Sequence, residues 1–312
     1  MTLETASPIA PIVTVVIPTR DRRELLIRAI RSVLEQTISD VEIIVVDDAS
    51  ASDLCLDEPG LAGQLTVVRN PVAVGAQRSR LIGARLARGQ FVALLDSDDW
   101  WSKDKLEKQL AVAAAHPGAF VSCRVTVSKG SLRKDAPWRP LNKAERVEDF
   151  LYVKRGMLQT STVLAERQTM VELLEESAAY NIHNDTMLFL EAQKRGLDII
   201  QIAEPLAIFD DNPRSDRISY DPGRVAASEA WFKDVSAGWS AAARRGFILT
   251  DMVTRYVNVG QRGKALGCLL LACHPKVPLK MYIRQIAYVA FKGSPKRFFH
   301  RGPSGPTSEP SP

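Results

Sequence analysis

Three short apolar runs end in the same way. Residues 12–17 (IVTVVI) run into Pro18, Thr19, Arg20 and Asp21. Residues 41–46 (VEIIVV) run into Asp47 and Asp48, and residues 91–95 (FVALL) into Asp96, Ser97, Asp98 and Asp99. Nearly unbroken β-branched runs of this length mark strands buried on both faces, which is the habit of parallel sheets. Between them the period changes. Leu26, Ile30, Val33 and Leu34 fall at helical spacing within residues 21–36, and residues 79–88 form a second helix stopped by Gly89. Residues 65–68 make a further strand. The order strand, helix, strand, strand, helix, strand predicts an α/β fold with a mostly parallel, doubly wound sheet and helices on both faces. Ligands of such sheets sit beyond the carboxyl ends of the strands, which is where this chain puts its acids.

Later residues are less regular. Ser102 is positioned to cap a helix running to about residue 116, stopped by Pro117 and Gly118. Residues 121–127 read as a strand, 130–148 as a loop with Pro137 and Pro140, 160–164 as a strand, 185–195 as a helix and 198–209 as strand-like runs. From about residue 216 the pattern is helical, over 225–245, 249–259, 263–273 and 279–291. The expected organisation is a domain over 1–215, a basic helical region over 216–301 and a disordered Pro/Gly/Ser tail over 302–312.

Charge divides the same way. Net charge is +5, yet residues 1–251 carry 31 bases against 35 acids, while residues 252–308 carry ten bases and no acid. Such asymmetry points to a polyanionic partner, a lipid surface or a nucleic acid. The longest apolar stretch of the basic region, residues 265–273, is too short to span a bilayer, and residues 1–10 lack the basic start and apolar core of a signal peptide. A cytoplasmic protein without a transmembrane helix is expected. Cys55, Cys123, Cys268 and Cys273 show no metal-ligand spacing. The lack of G-x-x-x-x-G-K-[ST] and of G-x-G-x-x-G excludes a P-loop ATPase and a Rossmann dehydrogenase. A sugar-nucleotide pyrophosphorylase would need a Gly-rich loop after the first strand, where this chain has Pro18, Thr19 and Arg20.

Clustered carboxylates at a strand end must be solvated or neutralised. Asp96 and Asp98, alternate residues on an extended segment, share a face and suit an oxygen-seeking divalent cation; they equally suit a strand-to-helix turn. The stretches VTVVIPTRDRRELLIRAIRSVLEQT (13–37), VEIIVVDDAS (41–50), RNPVAVGAQRSRLIGARLARGQFVALLDSDDWW (69–101) and HNDTMLFLEAQKRG (183–196) decide between these by resemblance. In order and spacing they resemble the family 2 inverting glycosyltransferases of GT-A fold. The match covers about the first 200 residues. The C-terminal part resembles bacterial enzymes that build exopolysaccharide repeat units of the succinoglycan type.

The resemblance implies a role for each matching residue. Pro18, Thr19 and Arg20 stand where the family contacts the nucleotide base, and Asp48 where it holds uracil or ribose. Asp47 and Asp48 also read as a turn with a helix N-cap. Asp98 is the expected ligand of Mg²⁺ or Mn²⁺, Asp96 an expected contact of the sugar or ribose, and Asp99 a supporting or capping acid. Arg80 is expected to pair with phosphate or with these acids. Asp185 matches the catalytic base, with His183 a second titratable group beside it. The chain departs from the family pattern at Leu81, where Asn is usual, and at Asn184, where Glu is usual; Asn184 also reads as a helix N-cap.

Residues 159–162 resemble a strand lining the sugar pocket. Trp100 and Trp101 read as a sugar-stacking surface or as packing. Residues 214–219 (RSDRIS) hold nothing like the Q-x-x-R-W of processive members, so one sugar is transferred at a time. The implied function is transfer of a hexose from a UDP-sugar, UDP-glucose by resemblance, to a lipid-linked saccharide, with inversion. The rival is a catalytically inactive binding or scaffold relative. Basic helices with apolar faces suit the anionic inner face of the cell membrane, or else form a helical cap with a solvated basic face. No nucleic-acid partner is expected.

Overall fold

The structure is a computed structural model describing residues 10–56, 60–61, 63–212 and 223–292. The tail over 302–312, the segment 214–219 and the border at 215 lie outside the described residues.

Strands β1 (Val13–Thr19), β2 (Val41–Asp47), β3 (Leu65–Arg69) and β4 (Phe91–Leu94) are parallel, in the order β3-β2-β1-β4. Helix α1 (Arg23–Leu34) lies in the path between β1 and β2, and α2 (Ala76–Leu86) between β3 and β4. All seven residues of β1 are buried. Val13, Val15 and Ile17 enter the core shared with Leu26 and Ile30 of α1; Val16 enters the opposite core with Ala84 of α2. Burial on both faces is why the run is apolar throughout rather than alternating.

The strand continues two residues past Ile17, through Pro18. The carbonyl of Val16 accepts from Leu95 on the β4 side and that of Thr19 from Asp48 on the β2 side. Alternation therefore turns Pro18 towards β4, which has already ended at Leu94, so no ladder bond needs its missing N–H.

The rest of the sheet mixes directions. It takes in β5 (Trp100–Trp101), β6 (Phe120–Lys129), β7 (Leu132–Ala136), β8 (Leu164–Glu166) and β9 (Ile199–Asp210). The path runs β4-β8-β6-β9-β5, with β7 on β6. β8 is antiparallel to β4 and β6, and β6 is parallel to β9. Helices α3 (Lys105–Ala115), α4 (Val147–Tyr152), α5 (Arg167–Ser177) and α6 (Asn184–Lys194) complete this part.

Several expectations change here. The loop over 130–148 contains β7, entered through Gly130 at φ 59°, and ends in α4. β7 is charged and mostly exposed, so it carries no alternating signal. Residues 160–164 are not a strand throughout: Thr160–Thr162 is a 3-10 turn whose polar groups are drawn to Asp185 and Asp99. The helix after Ser102 starts at Lys105, because Trp100 and Trp101 first pair with β9. Helix α5 was not expected at all.

The helices after residue 222 are α7 (Gly223–Val235), α8 (Ala241–Phe247), α9 (Val253–Asn258), α10 (Arg262–Leu271) and α11 (Leu279–Lys292), with a π-helical turn at Ile248–Met252 joining α8 to α9. Their core is aromatic. Phe232 stacks on Phe247 at 4.5 Å, and Trp239 on Tyr152 at 5.3 Å. Ile182 and Met187, from the start of α6 and the loop before it, belong to the same core. No described helix is long and apolar enough to cross a membrane.

Close approach of α2 to the sheet depends on Gly83, where an added Cβ would stand 2.4 Å from Val16 Cγ1. Alanine normally stabilises a helix interior over glycine by about 1 kcal/mol. Overpacking reverses that, so Gly83→Ala is expected to lower stability by about 1–3 kcal/mol in urea titration. A neutral or stabilising result would mean that the interface yields.

Candidate active site

The carboxyl edge of the parallel strands holds three acids whose carboxylate oxygens, one each from Asp96, Asp98 and Asp99, lie within 4.8 Å of one another. Each is held differently. Asp99 is buried; it accepts from Ser161 Oγ at 2.6 Å and from the Asp210 amide at 3.0 Å. Burial, with the charges of Asp98 and Asp96 beside it, pushes its carboxyl well above the usual range. Asp98 accepts from Arg22 Nη1 at 3.2 Å, and its carbonyl accepts from Arg28 Nη2 at 2.6 Å. Asp96 pairs with Arg80, a buried guanidinium that also donates to Gln77 Oε1 at 2.9 Å. Burial works against the charge on Arg80, but Asp96 outweighs it and raises the pKa. Of the two partners expected for Arg80, the structure supplies the acid.

Asp185 stands in the first turn of α6, partly open to the cleft. Its Oδ1 accepts from the Thr160 amide at 2.8 Å and from the Thr160 hydroxyl. The protein around it, followed by the charge of Asp96, raises its pKa against the opposing pull of Thr160 and Arg80. Asn184 is not the cap of this helix. The helix begins at Asn184, and His183 precedes it at φ 54° with no side-chain cap; Asn184 Oδ1 is buried without a hydrogen-bond partner among the described residues. Leu81 packs against the core beneath α2.

His183 lines the same cleft, but its ring is engaged by the helical region rather than by the strand-end acids. Its Nε2 lies 2.7 Å from Ser228 Oγ and 3.8 Å from Asp251, and its ring centroid lies 4.2 Å from that of Trp231. Burial pulls its pKa down to about 4, despite Asp251. The ring is therefore neutral near pH 7.

Asp48 is committed to the loop before α2. It accepts from the amides of Val74 and Gly75, each at 2.8 Å, and from Asn70 Nδ2 at 3.0 Å. Burial raises its carboxyl, but these bonds outweigh burial and hold it below the usual range. Asp47 accepts from the Ser50 amide at 3.0 Å. Both acids thus shape turns, and neither caps a helix. The Asp48 amide donates to the Thr19 carbonyl at 2.8 Å, which joins this corner to Pro18, Thr19 and Arg20. Thr19 is buried, its hydroxyl unpartnered among the described residues, while Arg20 is exposed. Two residues beyond Arg20, Arg22 reaches Asp98, so one loop links this corner to the acid cluster.

Trp101 is core; its Nε1 donates to the Ser161 carbonyl at 2.7 Å. Trp100 lies under the Arg28 guanidinium, 3.9 Å from its ring centroid. Both tryptophans pack rather than form an open stacking surface.

A cleft of about 430 Å³ adjoins the acids, with Arg80, Asp96 and Asp185 on one side and Arg224, Asp251 and Arg255 of the helical region on the other. A larger cavity of about 830 Å³ opens between the segment before α4, helix α6 and Trp239, and none of the clustered acids lines it. Sequence reading missed Arg22, Arg28 and Asp210 and singled out Thr160 and Ser161 only as part of a pocket-lining strand; all five hold the acids in place. No local pattern marks them: Asp210 and Asp99 are 111 positions apart.

His183 generates a pH prediction. In the folded protein its ring takes a proton only near pH 4, against 6.5 ordinarily. Between these values the unfolded chain binds the extra proton, so stability present above pH 6.5 is lost as the pH falls towards 4. Urea titration is expected to show wild type losing about 2 kcal/mol more than His183→Gln between about pH 7 and about pH 5. Equal losses would refute the assignment.

Residues 14–167 match the family model described as glycosyl transferase family 2. The chain is 29% identical over 205 residues to the amylovoran biosynthesis glycosyltransferase AmsB of Erwinia amylovora, covering 62% of this chain and 68% of that protein. It is 31% identical over 111 residues to the Escherichia coli UDP-Glc:alpha-D-GlcNAc-diphosphoundecaprenol beta-1,3-glucosyltransferase WfgD, covering 35% of this chain and 44% of that one. Among solved structures, S. aureus TarS 1-349 in complex with UDP-GlcNAc aligns with a TM-score of 0.59 at 15% identity, over 90% of this chain and 88% of that one. The mannosyltransferase PcManGT of Pyrobaculum calidifontis, in complex with GDP-Man and Mn²⁺, aligns with a TM-score of 0.54 at 18% identity, over 90% and 81%. At these identities the structural likeness is one of fold. Matching strands, an acid cluster at their carboxyl edge and the family model agree: residues 14–167 form a family 2 glycosyltransferase domain, and the chain has the GT-A fold.

Proposed function

We propose that this chain moves one hexose from a UDP-sugar, UDP-glucose in the first instance, to a hydroxyl of a growing lipid-linked oligosaccharide in cell-surface polysaccharide synthesis, working at the cytoplasmic face of the membrane. The observation that carries this reading is the cleft itself, where the Asp185 carboxylate stands near the strand-end acid Asp96, with the Arg80 guanidinium close to both. A single base serves an inverting displacement; a retaining glycosidase needs a close pair of carboxylates about the bond. The names of AmsB and WfgD support a polysaccharide setting, and that of WfgD supports the donor and the lipid-diphosphate acceptor.

The acid cluster fits a divalent cation. Three carboxylates converge, and the Asp98 and Asp96 charges contribute to the raised pKa of Asp99, which is the crowding a cation relieves. Mg²⁺ or Mn²⁺ held by Asp98, with Asp96 and Asp99 nearby, supplies positive charge for the diphosphate leaving group. The chain's own residues do the rest. Pro18, Thr19 and Arg20 receive the base, and Asp48 contacts uracil or ribose while keeping the loop before α2 in shape. Asp96, clamped by Arg80, contacts the donor sugar or ribose. Asp185 takes the proton of the attacking hydroxyl as the new C–O bond forms at the anomeric carbon and the bond to diphosphate breaks. Attack opposite the leaving group turns an α-linked donor into a β-linked product. The departures at Leu81 and Asn184 leave these acids in place, which favours an enzyme over an inactive relative.

Calorimetric titration with UDP, with and without Mn²⁺, tests the donor site. Wild type is expected to bind UDP in a metal-dependent way and Asp98→Ala to lose that binding. Asp185→Asn is expected to keep it while turnover falls about 10²–10⁴-fold. Absence of UDP binding under every metal condition would count against a UDP-sugar donor, and Asp185→Asn turnover equal to wild type would count against that base.

A further inference from the structure

Helix α11 has two unlike faces. The inner one carries Met281, Gln285 and Val289, all buried. Gln285 Nε2 lies 3.5 Å from the Thr250 carbonyl and 3.4 Å from Thr254 Oγ1, and Tyr288 Oη donates to Asn258 Oδ1 at 2.6 Å. Thr250, Thr254 and Asn258 line the cleft beside Asp185. The helix therefore backs the cleft wall directly.

The outer face is apolar and bare. Leu279, Ile283 and Ile286 are 72%, 58% and 56% exposed, at spacings of four and three that place them on one side of a helix. Leu270 of α10, which packs beside α11, is 82% exposed. Single exposed aliphatics are ordinary; a row along one helix marks a surface that meets something apolar. Lys280 and Arg284 are exposed on the same helix, and no acid occurs anywhere between residues 252 and 308. The sequence following Lys292 adds Lys296, Arg297 and Arg301.

Charge selects the occupant. A second copy docked through this face about a twofold axis would set Lys280 and Arg284 against their own equivalents, with no acid from residues 252–308 to neutralise them. Nucleic acid would satisfy the bases but leave an aliphatic row with no base to stack on. Aliphatic side chains with basic flanks match an anionic bilayer, where hydrocarbon takes the row and headgroups take the bases. We infer that the outer face of α11, through Leu279, Ile283, Ile286, Lys280 and Arg284, docks on an anionic lipid surface. The cleft wall then lies about one helix diameter, ~10 Å, from that surface. Delivery of a lipid-borne acceptor by this route rests on the function proposed above; the docking itself does not.

Flotation of the full-length protein with vesicles tests it, using phosphatidylcholine alone and phosphatidylcholine mixed with phosphatidylglycerol, without donor or acceptor. Wild type is expected to float with the anionic vesicles and to be released by salt. Ile283→Glu/Ile286→Glu and Lys280→Glu/Arg284→Glu are each expected to reduce the bound fraction about tenfold, with an unchanged melting transition and UDP affinity. Failure of wild type to float with anionic vesicles would overturn the inference. So would variants that float as wild type does, or a solution dimer that Ile283→Glu/Ile286→Glu makes monomeric. UDP binding without flotation would remove the docking alone; flotation without UDP binding would remove the donor reading alone.

Discussion

Thr160 and Ser161 hold the two halves of the site together. Ser161 Oγ donates to Asp99, and the Ser161 hydroxyl also accepts from the Asp96 amide at 3.1 Å. One residue earlier, the Thr160 amide and hydroxyl both serve Asp185. A single 3-10 turn thus spans from the acid cluster on the strand edge to the acid at the start of α6. A regular strand would have spent these amides on a ladder and pointed successive side chains to opposite faces. The turn gathers them on one side instead, and β8, only three residues long, follows at once.

Around that turn, crowded negative charge is the main electrostatic fact. Arg80, buried beneath Asp96, offsets part of it, and its charge also draws on Asp185. Arg22 and Arg28 also reach the cluster, Arg22 from just before α1 and Arg28 from its middle. Guanidinium suits these places because it stays charged when buried and donates in several directions at once. Arg28 uses this fully, meeting the Asp98 carbonyl, the Asp210 carboxylate at 3.0 Å and the Trp100 ring. The helical region closes the far side of the cleft. Its aromatic core includes Ile182 and Met187, on either side of Asp185, so the packing of those helices bears on where the base stands.

Much of the N-terminal half was legible in the chain itself. Runs such as residues 12–17 are apolar because both faces of β1 are covered, and that pattern survives in the sequence whatever the rest does. Boundaries slipped by a few residues: α2 begins at Ala76 rather than Ser79, and β1 passes through Pro18. Reading weakened where strands are short, charged or antiparallel. β7 has four exposed positions of five, and β8 is too brief to show a period. The acids were found because they follow strands. Their holders were not recognised as such: Ser161 falls in a segment read as pocket lining, and its bond to Asp99 joins residues 62 positions apart.

The sequence by itself determined the order of the parallel strands' signals, the acids at their carboxyl ends, the family and the charge of the last helices. These are local: each depends on a few neighbouring residues and on periodicity. Tertiary structure alone decided which guanidinium meets which acid, that the His183 ring packs on Trp231 and meets Ser228, and that α11 buries Gln285 while leaving Ile283 and Ile286 bare. Those outcomes depend on contacts between segments dozens of positions apart, and on which helix face finds a partner. A run of residues carries no record of either.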